Sequence, residues 1–401
     1  MRPLRVEMGE LTMKSRDFDN CAGAGPLRYE ECQTGAGSGA AAVVRSAMVA
    51  LAFIMIDATS CAVWSGAYAQ SANSTDSSMM GVMPEGTPVD VVSGLTIPWS
   101  AVTVGQEVLV SQRGTAEIVA FRPGEALRSV GSVRVFVARG DGGMLGLAVL
   151  EQGTDVWIYA YHSTTEGNRI VRMPYSNGML GDPEVVLDGI PGGRSHNGGR
   201  IAFGPDGMLY ATVGETRNLE LPQDLNSLGG KILRMTPDGG IPSDNPFADS
   251  LVYSFGHRNP QGLAWDNTGQ LWATEFGDDA WDELNRIEPG GNYGWPIVEG
   301  QGGNPDYIDP VMQWRTQEMG PSGLAYIDGT FFIAGLTGQR VWTVTIDPAG
   351  NPQATAYYAG EYGRIRHVFE GTDGKLWFLT NTRGGGDNRI LSVALTPASA
   401  P

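Results

Sequence analysis

The chain has 401 residues, 41% of them hydrophobic and 18% charged, with 57 glycines. That balance suits a globular protein with a large core and many turns and excludes a disordered chain. The formal net charge is −17, which disfavours nucleic acid and anionic membranes as partners and is compatible with cation binding.

In chain order, residues 1–39 are polar and without sustained periodicity. Residues 40–69 carry Arg45, an apolar run from Ala47 to Ile56, and Ala67-Tyr68-Ala69. This is the layout of a secretory signal with cleavage after Ala69, and it predicts a periplasmic or secreted protein. An interfacial or anchoring helix is the other reading of the same run. Cys21, Cys32 and Cys61 all precede the cleavage, so the mature chain lacks cysteine chemistry. Residues 1–69 are therefore read as N-terminal extension and signal peptide, and Ser- and Met-rich residues 70–87 as a flexible lead-in.

From residue 88 to 401 one unit recurs: a polar turn followed by a short apolar or aromatic strand. The clearest copies are "GPDGMLYATVGE" (204–215), "DNTGQLWATEFG" (266–277) and "GTDGKLWFLTN" (371–381). Weaker copies are "VGQEVLVSQRG" (104–114), "QGTDVWIYAYH" (152–162) and "IDGTFFIAGL" (327–336). Their centres fall 45 to 62 residues apart, with further strands such as "KILRMTP", "RVWTVTID" and "RILSVAL" between them. Six copies of such a unit predict an all-β fold, a six-bladed β-propeller; a large β-sandwich needs no such period. Blade-end loops of a propeller converge on a central channel, so residues distant in sequence can share one site.

Four stretches carry candidate chemistry. In "GGRSHNGGRIAFGPDGMLYATVGE" (192–215), His196 sits among glycines and Glu215 ends the following strand. A neutral histidine backed by a carboxylate can take a proton; a locally satisfied loop histidine fits the same residues. In "YSFGHRNPQGLAWD", Arg258 and Asn259 offer a fixed cation and an amide to an oxygen-rich ligand, or form a solvated turn. "TEFGDDAWDELNRIEPGGNYGWP" packs Glu275, Asp278, Asp279, Asp282 and Glu283 together, which suits Ca²⁺ or a solvated acidic surface. In "EYGRIRHVFEG", Arg364 and Arg366 alternate on one strand face, an arrangement suited to a multivalent carboxylate or to an exposed face with counter-ions.

From about residue 90 to 396 the chain resembles the soluble quinoprotein sugar dehydrogenases, which carry pyrroloquinoline quinone (PQQ) on a six-bladed propeller. The resemblance is most specific in "GHRNPQGLAWD", "GGNYGWP", "GGKILRMTPDGGIPSDNPF" and "SHNGGRIAFGPDG". It implies His196 as general base with Glu215 behind it, and Arg258 and Asn259 at the quinone carbonyls. It also implies Arg364 and Arg366 around the cofactor carboxylates, and the backbone carbonyls of Gly277 and Asp278 as Ca²⁺ ligands. Asp141, in "GDGGMLGLA", falls beside the substrate. The chain departs from the family at Thr337, a cofactor-contacting position where the family commonly has lysine. The implied reaction oxidises an aldose at its anomeric carbon to a lactone by hydride transfer to PQQ. No Cys-x-x-Cys-His is present, so the electron acceptor is expected to be a separate molecule. Two rivals stand beside this reading: a calcium-dependent, lactonase-like propeller hydrolase, which needs Glu, Asn and Asp ligands converging from several blades, and a non-enzymatic ligand-binding propeller.

Overall fold

A computed structural model describes residues 81–133, 137–382 and 386–398. The proposed signal and its cleavage site lie outside them. The described residues form six antiparallel sheets of four principal strands each, and no helix. Blade 1 spans 98–132, blade 2 144–190, blade 3 201–255, blade 4 260–315, blade 5 321–357 and blade 6 365–397. The first strand of each blade touches the first strand of the next, and the series closes between Ile365–Glu370 and Pro98–Val104. A six-bladed propeller results.

Every copy of the repeat supplies the second strand of a blade: Glu107–Gln112, Asp155–Ser163, Leu209–Val213, Leu271–Glu275, Thr330–Gly335 and Leu376–Thr380. These strands are paired on both edges and packed by neighbouring blades on both faces. They therefore read as nearly continuous apolar runs rather than as an alternation. Residues of blades 2 and 3, such as Tyr159, Tyr161, Leu209 and Leu233, accordingly share one buried cluster.

The turn chemistry explains why the clearest copies look alike. Asp206 accepts from the Met208 amide at 3.0 Å and from the Tyr210 hydroxyl at 2.9 Å. Asp266 does the same for the Thr268 amide at 2.9 Å and the Trp272 indole at 2.9 Å. Asp373 takes the Trp377 indole at 2.8 Å. One carboxylate thus closes the turn and satisfies the polar edge of an otherwise buried ring.

The lead-in boundary needs correction. Val82–Leu95 is a strand, not a flexible segment, and it pairs antiparallel with Asn388–Pro397 as the outer strand of blade 6. The ring is closed by joining the two ends of the described chain in one sheet. This strand is exposed along much of its length and interrupted by register shifts, so it lacks the apolar run that marks the other strands.

Candidate active site

Blade 3 is entered through the glycine-rich loop 192–200. His196 adopts a left-handed conformation, φ 56°, which costs a non-glycine residue about 1 kcal/mol or more. The loop is held there by backbone contacts. Thr216 N–H donates to the His196 carbonyl at 3.1 Å and Gly199 N–H to the Thr212 carbonyl at 2.8 Å. A Cβ on Gly214 would lie 2.0 Å from the His196 oxygen, so glycine is required at that position. His196 Nδ1 and Glu215 Oε1 are 2.7 Å apart, and both side chains are buried. Glu215 also accepts the Arg217 amide. A carboxylate can only accept, so Nδ1 carries a proton, and in the neutral ring Nε2 is the nitrogen with the lone pair. Nε2 has no partner among the described residues, and His196 lines a cavity of 170 Å³.

That cavity is also lined by Arg258, Asn259, Arg364, Arg366, Asp141 and Thr337. Seven of the sequence candidates, from the connections between blades 1 and 2, 2 and 3, and 3 and 4 and from blades 5 and 6 with the connection between them, therefore meet in one place. Glu215 stands behind His196, Gly277 lines an adjoining cleft with Arg258, and Asp278 Oδ1 accepts from the Arg258 guanidinium at 2.5 Å.

Arg258 and Asn259 are positioned by an acid that was grouped with the possible metal or surface carboxylates. Glu275 Oε1 accepts both of their amides, that of Asn259 at 3.2 Å. Its Oε2 takes His257 Nδ1 at 2.8 Å. Asn259 Oδ1 in turn accepts the Gly198 amide at 3.1 Å, tying blade 4 to the His196 loop.

Two further acids of the 275–283 run, Asp282 and Glu283, and Glu299 beyond it also serve backbone amides. Asp282 accepts from Gly277 at 3.0 Å and Gly320 at 2.6 Å, and burial pushes its carboxyl up to about 7. Glu299 Oε1 accepts the amides of Asp278, Ala280 and Trp281 at 2.7, 3.1 and 3.0 Å. With these amides turned toward carboxylates, the Gly277 and Asp278 carbonyls accept no hydrogen bond among the described residues. No group of three or more His, Cys, Asp or Glu that could hold a metal occurs among the described residues.

The cavity is cationic in a way only partly legible from the motifs. Arg200 and Arg366 flank the Trp99 indole, their guanidinium carbons 4.2 and 5.7 Å from the ring centre. Arg366 donates to Gln261 Oε1 at 2.8 Å and Ser322 Oγ at 3.2 Å, while Arg200 donates to the Gln261 carbonyl at 2.9 Å. Arg200 Nη2, Arg258 Nε and Arg366 Nε are buried without partners. Burial draws Arg200 down to about 9. Arg366 is lowered well below the ordinary arginine range by burial, then by Arg364, Arg113 and Arg200. Arginine stays protonated in proteins, and the crowding of Arg366 by Arg364, Arg113 and Arg200 favours an anion beside it.

Trp99, Arg113, Arg200, Gln261 and Glu299 were not singled out in sequence. One available signal was positional. Arg113, Glu215, Glu275 and Thr337 all lie at or just beyond the end of a repeated second strand.

The family described as Glucose / Sorbosone dehydrogenase matches residues 95–391. The solved PQQ-bound form of aldose sugar dehydrogenase from Streptomyces coelicolor is 45% identical, with 78% of this chain and 100% of that chain covered and a TM-score of 0.73. Aldose sugar dehydrogenase YliI of Escherichia coli (strain K12) is 28% identical over 77% of this chain and 94% of its own length. Quinoprotein glucose dehydrogenase B of Acinetobacter calcoaceticus is 41% identical over 31% of each chain.

Proposed function

Starting from a chain that belongs to the glucose / sorbosone dehydrogenase family, we propose that it oxidises an aldose at the anomeric carbon to the lactone, using PQQ and Ca²⁺. The observation that carries this reading is the His196–Glu215 pair with its free Nε2 facing a cavity edged by Arg113, Arg258, Arg364 and Arg366.

The residues present suit the cofactor. PQQ is planar and bears several carboxylates, and the cavity is lined by Arg113, Arg258, Arg364 and Arg366 together with the Trp99 indole. Arg364 and Arg366 would hold its carboxylates, and Arg258 and Asn259 its quinone oxygens. The carbonyls of Gly277 and Asp278 would hold Ca²⁺, their orientation fixed by Glu299 and Asp282. When bound, PQQ supplies the two-electron acceptor for the substrate hydride.

His196 Nε2 would take the proton of the anomeric hydroxyl, while Glu215 keeps the tautomer and stabilises the imidazolium that forms. Asp141, on the cavity wall, would accept from a sugar hydroxyl. Thr337, shorter and uncharged, leaves Arg258 as the nearby cation at the quinone edge. Electrons would pass to a separate acceptor. Among the described residues no helix is long and apolar enough to cross a membrane.

The test is to add PQQ and Ca²⁺ to the purified protein and follow the quinone absorption band. Bleaching on addition of an aldose is expected; a band that forms and does not respond to any aldose would refute the assigned reaction. We also propose export to the periplasm or medium. Mass spectrometry of protein from its native host should find an N-terminus at or near Gln70, and recovery of intact residues 1–60 would refute it.

A further inference from the structure

Next to the proposed active cavity lies a larger cleft of 250 Å³, lined by Arg139, Arg194, Ser163, Thr165, Glu166 and Asn168 with neighbouring residues. Two short segments form the wall between the cavities. Asp141 N–H donates to the Arg194 carbonyl at 2.8 Å. Gly140 lies so close that a Cβ there would be 1.9 Å from the same oxygen. Along both segments the residues divide between the two sides. Asp141 and His196 line the active cavity; Arg139 and Arg194, two positions earlier, line the cleft. Two residues of chain span at most ~7 Å, so the wall between the two spaces is thin.

The inner wall of the cleft is a closed hydrogen-bond network. Ser163 Oγ donates to Asn168 Oδ1 at 2.7 Å, and Asn168 Nδ2 donates to the Pro191 carbonyl at 2.8 Å and Asn197 Oδ1 at 3.0 Å. What it leaves for a ligand is charge. Arg169 and Arg172 of the same blade pair with Asp188, Glu184 and Asp238. Neither Arg139 nor Arg194 makes an ion pair or a side-chain hydrogen bond with any described residue. Glu166, on the same cleft, pairs with neither. On a chain of net charge −17, two uncommitted guanidiniums facing one cleft select a carboxylate, while the Thr165 hydroxyl suits a polyol.

We propose that this cleft is a subsite for a second, carboxylate-bearing sugar unit, so that the substrates are acidic oligosaccharides whose reducing aldose end enters the His196 cavity. The proposal rests on the reading of that cavity as the place of aldose oxidation.

Two measurements separate the two ideas. The first is calorimetric titration of the full-length protein, with and without PQQ and Ca²⁺, using a uronate-containing disaccharide, its neutral counterpart and inorganic phosphate. The acidic disaccharide should bind at least tenfold tighter than the neutral one, the preference should shrink with added salt, and it should vanish in the double variant R139A/R194A. Phosphate binding as tightly as the acidic disaccharide would reduce the cleft to a simple anion site and overturn the proposal. Equal binding of the two disaccharides, or a preference that survives the double substitution, would also overturn it. The second measurement is kcat/KM of the PQQ-loaded protein on both disaccharides, whose acidic-to-neutral ratio should fall at least tenfold in the double variant. Should no sugar be oxidised while the arginine-dependent binding persists, the acidic-saccharide site is supported and the assigned reaction alone fails.

Discussion

Blades 3 and 4 contain the same device put to different ends. In each, a histidine in the loop before the first strand points Nδ1 at a glutamate at or just beyond the end of the second strand. The distances are 2.7 Å for His196–Glu215 and 2.8 Å for His257–Glu275. The difference lies at the other ring nitrogen. His257 Nε2 is bonded to Ser254 Oγ at 2.8 Å, its ring stacks on Tyr293 at 4.6 Å, and it is completely buried. His196 presents Nε2 to the cavity. A histidine–carboxylate pair is therefore not by itself a catalytic sign. What distinguishes a proton acceptor is one ring nitrogen left uncommitted where a substrate can reach it, and the buried pair shows what the same chemistry does when both are committed: it fixes the backbone of Arg258 and Asn259.

The largest expected effect separates the pairs by readout. His196→Ala should retain PQQ and Ca²⁺ yet lower turnover by ~10²–10⁴-fold, the usual worth of a general base. Steady-state oxidation of aldoses with an artificial acceptor measures this; a parental rate would make His196 structural. Glu215→Gln should give a milder loss, since it keeps the shape but removes the charge that favours imidazolium.

His257→Ala should act on folding instead. It empties a buried aromatic site and strips a hydrogen bond from the buried Glu275 carboxylate, at a cost of about 3 kcal/mol. Denaturant unfolding should show the loss. Parental stability, with turnover reduced as far as in His196→Ala, would erase the distinction between the two pairs.

How far these roles could be read beforehand follows from where each residue lies. The second strands were legible because burial on both faces gives unbroken apolar runs, and because Asp206, Asp266 and Asp373 repeat one turn chemistry. Val82–Leu95 was not, since an exposed outer strand with register shifts carries no such run. His196, Arg258 and Arg366 stand in dense local motifs. Trp99 and Arg200 do not: each gains its meaning from the other, across 101 positions of chain. Glu275 and Asp282 were visible as acids, but their service to backbone amides depends on loops that only the folded chain brings near.

Arg364 and Arg366 line the same cavity as Arg258 and Asn259, whose backbone the blade 4 pair fixes, and they should respond through binding. Charge-assisted bonds contribute ~1.5–3 kcal/mol each before desolvation. Arg364→Ala or Arg366→Ala should therefore weaken PQQ binding at least tenfold, read by titrating the cofactor absorption. Unchanged affinity in both variants would remove these arginines from the site.

The smallest expected effect tests the surroundings of the blade 4 pair through pH. Glu283 is pushed up to about 8, by burial first and then by the neighbouring Glu275. It accepts from Asn285 Nδ2 at 3.0 Å and the Gly300 amide at 2.8 Å. In the folded protein Glu283 thus holds a proton that the unfolded chain releases near the ordinary glutamate value of ~4.3. Between these two values the native state binds more protons than the unfolded one, so stability falls as pH rises. The contribution is fully present below the unfolded value and is lost as pH passes about 8. Glu283→Gln keeps the shape and cannot ionise, so the variant should lose less stability than the parent between pH ~5 and ~8.5. Chemical denaturation at the two ends of that window gives the comparison. Parallel pH profiles for parent and variant would mean that Glu283 is ionised in the folded protein, and that the carboxylate of Glu275 shares its buried setting with a second negative charge.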